Sequence, residues 1–195
     1  MSNTRPSKAM LDGVIVYYDR LKSLMDSVGK YNEVCGIYNK RNRLLNGQWV
    51  PPKVQAVFNK TYHGSVKELD DAFGQCDSTV QRKLLMVGEA LDVLQIPYTA
   101  SELRNLEMMI RSTTGETKFR AVVGRYVEAM KKEVEKGIEL QKAGIEIEPL
   151  SVESPTDLIR YYQATPEERR EIKSSKRVKK VKPPKKPRKT KAANQ

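Results

Sequence analysis

The sequence predicts a mainly α protein, with a multi-helix body, one or two long amphipathic helices, and a basic C-terminal tail that is disordered or ordered only by a partner. Three observations lead there. Apolar residues recur at spacings of three and four through most of residues 8–142, the period of helices that bury one stripe. Cap and breaker signals fall between these stretches (Asn-Gly, Pro-Pro) and after them (Ser-Pro, Thr-Pro). Nearly all net charge lies apart from the amphipathic sequence: residues 173–191 hold 11 basic residues and no acid, and so carry +11 of the formal +12. The apolar share of 38% and charged share of 31% fit a packed domain joined to an appendage.

Ser7, after Pro6, is placed to cap the first helix. Leu11, Val14, Tyr18, Leu21, Met25 and Val28 form the clearest stripe, broadened by Tyr31, Val34, Cys35, Ile37 and Tyr38 before Asn46-Gly47 stops it. Unbroken, that helix runs about 38 residues; Gly29 or Gly36 is the alternative break, and a protruding rod is a further possibility. Pro51-Pro52 resets the chain before a short helix around Val54, Val57 and Phe58. Gly64 separates it from another around Val66, Leu69 and Phe73, which Gly74 closes. Asp77 or Ser78 then caps a stronger helix through Val80, Leu84, Val87, Leu91 and Leu94, ended by Pro97. Thr99 and Glu102 fit a capping box before Leu103, Leu106 and Ile110. After a loop at 113–115, a long helix is expected over about 116–142, led by Phe119, Val122, Val123, Tyr126, Met130 and Val134. Its second half alternates acids with lysines, so it either projects into solvent or packs against a partner.

The helical body is thus expected over 1–143, followed by an extended linker or arm at 144–153. A short helical segment at 154–172 opens at Ser154-Pro155 and again at Thr165-Pro166-Glu167-Glu168. Residues 173–195 form the Lys/Pro-rich tail. Past Ile172 its only strongly apolar residues are Val178 and Val181, too few to offset the entropy of ordering the backbone without a partner.

In the tail, Pro183, Pro184 and Pro187 keep the chain extended, so its charges follow an irregular anionic surface instead of presenting one face. Lys173, Lys176, Arg177, Lys179, Lys180, Lys182, Lys185, Lys186, Arg188, Lys189 and Lys191 are the expected nucleic-acid contacts. Binding through phosphates alone is largely independent of base sequence, and DNA and RNA stay open. The absence of an aromatic residue there argues against base stacking. Lys179–Lys182 and Lys185–Arg188 also fit nuclear import clusters in a eukaryotic host. Over these residues the plan resembles basic-tailed chromatin proteins and viral core or minor capsid proteins, in which a helical body precedes a basic arm. The expectation is a non-enzymatic architectural or packaging protein whose body assembles with itself or other proteins. The alternative is a minor structural or assembly protein of a viral capsid or ribonucleoprotein particle, with tail and linker as arms across neighbouring subunits.

A possible secondary contact comprises Lys40, Arg41, Arg43, Trp49 and Lys53, where charges hold a backbone and the indole stacks a base; the plainer reading makes Trp49 a packing anchor. Catalytic and metal sites are not expected, nor any cofactor. His63 is the single histidine, Cys35 and Cys76 lack metal-ligand spacing and read as free thiols, and of the acids Glu68, Asp70 and Asp71 the pair that can share a helical face, Glu68 with Asp71, reads as solvated charge. Gly115 precedes Glu-Thr-Lys without the rest of a phosphate-loop motif. Tyr17-Tyr18 has no neighbouring groups that mark a tyrosine nucleophile; Tyr18 belongs to the core stripe, and Tyr161-Tyr162 reads as a docking patch for the C-terminal segment. Neither a secretory pattern nor a membrane-length apolar stretch is present, so an intracellular location or the inside of a virus particle is expected.

Overall fold

The computed structural model describes residues 8–46, 49, 51–62, 65–112 and 117–181. It is a multi-helix body, and among these residues no strand occurs. We label the helices α1 (Lys8–Leu45), α2 (Pro52–Tyr62), α3 (Val66–Val93), α4 (Ala100–Arg111), α5 (Arg125–Lys142), α6 (Pro155–Gln163) and α7 (Pro166–Ser175). A π-helical turn at Arg120–Gly124 leads into α5.

α1 is continuous for 38 residues, passing Gly29 and Gly36 without a break. Its expected stripe is buried throughout, joined by Tyr17 and Leu24, and packs on α3 and α5. Further along, Val34, Ile37 and Tyr38 gather around Leu69 in a second cluster, with the Tyr31 and Tyr38 rings 5.3 and 5.1 Å from Phe73. This part of α1 is therefore covered by the first turns of α3 and is not a rod.

Two expectations about α3 are corrected. Gly74 does not close a helix, and neither Asp77 nor Ser78 caps one; a single helix starts at the Ser65 cap and runs to Val93. A mid-helix glycine costs only about 1 kcal/mol relative to alanine, less than the burial on either side contributes. Asp77 instead binds Arg111 of α4, at 2.7 Å. The capping boxes at Thr99/Glu102 and Thr165/Glu168 form as their spacing predicts, and Ser154 pairs with Asp157 in a third.

α5 ends in a Schellman motif at Gly144, whose φ of +74 suits glycine; Ile145 N–H donates to Leu140 O and Gly144 N–H to Gln141 O, both at 2.9 Å. The chain then turns back along its own body. Ile147 is buried against Gly137 of α5, with Leu150 and Val152 half-buried beside it. The second half of α5, open in sequence to solvent or to a partner, is covered by this strap. α6 docks through Leu158, through Tyr161 stacked on Tyr126 with ring centres 4.0 Å apart, and through Tyr162 against Phe119. The tyrosine pair thus ties the C-terminal segment to its own body.

Gly137 allows the close approach: a Cβ there would lie 3.1 Å from Ile147 Cδ1 and 3.6 Å from Val178 Cγ2. Gly137→Val is expected to force the strap outward at a cost of about 1–3 kcal/mol. Faster amide exchange at 146–148 and 178–181 than in the unsubstituted protein would report it.

Candidate nucleic-acid interface

Of the eleven tail cations, Lys173, Lys176, Arg177, Lys179 and Lys180 lie in the described residues; Lys182, Lys185, Lys186, Arg188, Lys189 and Lys191 lie outside them. Lys173 lies in the last turn of α7 and is exposed. From Lys176 onward the chain runs antiparallel to the strap: Ile147 bridges Lys180, Glu148 N–H donates to Lys179 O, and Val181 N–H donates to Glu146 O, both at 3.0 Å. Val178 N–H donates to Glu133 at 3.2 Å, and Lys179 lies 3.9 Å from Glu148. The ordering partner for residues 173–181 is thus the body itself. Val178, half-buried against Gly137, suffices because the backbone pairing and the acidic groups of the strap and α5 add to its packing, while Val181 stays 42% exposed. Arg177, Lys179 and Lys180 keep their side chains exposed.

Lys176 differs from its neighbours. Its Nζ lies 2.5 Å from Ser151 Oγ and 3.5 Å from a carboxylate oxygen of Glu153. Glu153 is 2% exposed and accepts hydrogen bonds from the hydroxyls of Tyr18 and Tyr126, both at 2.5 Å, while Tyr17 donates to its backbone carbonyl at 2.8 Å. One carboxylate thus joins α1, α5, the strap and the root of the tail. In sequence it reads as one more acid before a cap. The available signal was the adjacent Tyr17-Tyr18 on a buried stripe, since buried hydroxyls need acceptors.

Burial, reinforced by the negative charge of Glu153, pushes the hydroxyls of Tyr17, Tyr18 and Tyr126 well above their ordinary value near 10. A raised folded value means stability that is complete below the ordinary value and lost as pH rises beyond it, because the unfolded chain ionises first. Each of the three is expected to remove up to about 1.4 kcal/mol per pH unit above pH ~10. Tyrosinate absorbance should therefore rise together with loss of helical circular dichroism. Ordinary titration of all nine tyrosines in a still-helical protein would contradict this burial.

The secondary cluster divides. Lys40 and Arg43 are exposed on the last turns of α1, Arg41 is half-buried between them, and Lys53 is exposed at the start of α2. Trp49 is 78% exposed, so the packing-anchor reading is corrected; its indole is open to solvent. Glu68 and Asp71 are exposed near the start of α3. Cys35 and Cys76 are free and half-buried, His63 and Gly115 lie outside the described residues, and among the described residues no group of three His, Cys, Asp or Glu is placed to hold a metal.

Comparison with protein-family models, curated proteins and solved structures finds no match to this chain.

The functional reading therefore rests on the residues. Among those described, no helix is long and apolar enough to cross a membrane. The arrangement of charges is what can act chemically: a body that pairs acids such as Asp19, Asp77 and Glu128 with its own cations, and a run of cations that continues from a fixed point, Val181.

Proposed function

We propose that this is a non-enzymatic architectural or packaging protein, whose helical body assembles with itself or other proteins and whose C-terminal tail binds nucleic acid largely irrespective of base sequence. The observation that carries the reading is the placement of +11 of the +12 net charge on residues 173–191, rooted on the body by the pairing of 146–148 with 179–181. A rooted tail keeps bound nucleic acid at a defined side of the body. Polyanion attraction of this kind needs no folded reading head. Assembly through the body is supported by Leu85 and Val93 on α3 and Met108 on α4, large apolar side chains left 62–77% exposed.

The test compares the full chain with one ending at Val181, on duplex DNA, single-stranded DNA and duplex RNA. The shortened chain should lose most affinity for all three while its thermal unfolding stays unchanged. Retained, substrate-selective binding would place recognition on the body near Lys40–Lys53, and absence of binding by the full chain would remove the nucleic-acid reading.

A further inference from the structure

Two clefts between the helices hold cations in different ways. Along a groove of about 390 Å³ between α1 and α5, each sign faces the other: Lys131 meets Asp19 at 2.6 Å, Lys22 meets Glu128 at 3.2 Å and Arg120 meets Asp26 at 3.5 Å. A smaller cleft of about 200 Å³, where the π-helical turn meets α6 and α7, is different. Its polar lining is Arg125, Arg169 and Lys173, over the Tyr126 and Tyr161 rings, and it contains no carboxylate.

Arg169 and Lys173 lie one turn apart on the same face of α7. Arg169 is held in place from behind: its Nε–H donates to Tyr161 O at 3.1 Å and its Nη2 to Tyr162 O at 2.7 Å, closing the last carbonyls of α6. A guanidinium has five donors, so three remain for a ligand. Arg125 donates its Nε–H to Ala121 O, leaving both of its terminal nitrogens. Lys173 makes no hydrogen bond or ion pair among the described residues. Burial raises the Tyr161 hydroxyl, and the charges of Arg169 and Arg125 pull against that shift, so both guanidinium groups act at the ring that floors the cleft. Glu153, also felt at Tyr161, is already bound by Tyr18 and Tyr126.

Two partly held guanidinium groups and a lysine around one small space suit a tetrahedral anion, which takes forked donors and a point charge together. The volume lies below the roughly 300–1,000 Å³ of pockets for whole drug-sized ligands, which fits a phosphate group with its substituents left outside. We propose that this cleft is a phosphate-binding site on the helical body, taking one phosphate of a nucleic-acid backbone or of a free phosphorylated compound. The site stands on the geometry of α5, α6 and α7, to which Lys173 belongs, and does not require residues 176–195 to bind anything.

The test titrates the full chain with inorganic pyrophosphate while following the arginine Nε–H resonances. Those of Arg125 and Arg169 should shift saturably, and Lys173→Gln, an exposed change on α7, should weaken the response at least tenfold; Arg125→Lys should retain more of it than Arg125→Gln. Absence of a saturable shift, or an undiminished response in Lys173→Gln, overturns the proposal. A short single-stranded DNA across a salt series separates the sources. A slope smaller by about 0.7 in Lys173→Gln supports the site as one for a backbone phosphate, and an unchanged slope alongside weakened pyrophosphate binding in that variant supports it as one for a free phosphorylated compound. Loss of DNA binding alone, with pyrophosphate still bound, counts against the tail and upholds the cleft.

Discussion

Glu153→Ala is expected to destabilise the fold by about 3–5 kcal/mol, the usual cost of removing one member of a buried charged network. The loss arises less from the missing charge than from what is left behind. Tyr18 and Tyr126, each about 2% exposed, would keep hydroxyls in an apolar core with no acceptor, at about 1–3 kcal/mol apiece. Lys176 contributes less, because its side chain is 20% exposed and can turn to water. For a chain of 195 residues the fall in Tm should be near ~10 °C, and the strap should exchange its amides faster because its tie to α1 and α5 is gone. Glu153→Gln keeps one acceptor oxygen and should cost less than half as much. A combined Glu153→Leu, Tyr18→Phe, Tyr126→Phe variant should recover much of the loss, since removing donors and acceptor together leaves no unpaired group. A change below 1 kcal/mol in Glu153→Ala would mean that water reaches the cluster and that the carboxylate is not the tie described here.

What could be read in sequence, and what could not, divides along local and tertiary physics. The limits of α1 and the capping boxes at Thr99 and Thr165 were legible because periodicity and side-chain-to-backbone capping are settled within a few residues. Gly74 was misread because a glycine's weak local preference yields to the burial of Leu69 on one side and Val80 on the other. The π-helical turn at Arg120–Gly124 carries no breaker residue to announce it. Segment 144–153 showed its extended form but not its destination, which depends on Gly137 presenting a bare surface to Ile147 and Val178. The same holds for the site. The cationic run was visible as composition, whereas the docking of its first residues, the exposure of Trp49 and the meeting of Arg125 with Arg169 and Lys173 exist only once the helices pack.

The second large effect concerns salt. Each phosphate neutralised releases condensed counterions, so log Kobs falls with log salt by about 0.9 per contact on duplex DNA, and six to ten contacts lose roughly 10³–10⁵ in affinity between 50 and 200 mM. Lys182, Lys185, Lys186, Arg188, Lys189 and Lys191 lie beyond the docked root, whereas Lys176 is already turned toward Glu153. The distal six should therefore dominate the slope. The most direct measurement is duplex-DNA affinity across a salt series, for the full chain and for a full-length variant with those six residues changed to glutamine. The slope is predicted to shrink by about 5 in the variant, with affinity at low salt falling by several orders of magnitude and thermal unfolding unchanged. An equal slope and equal affinity in the two proteins would contradict nucleic-acid binding by the tail.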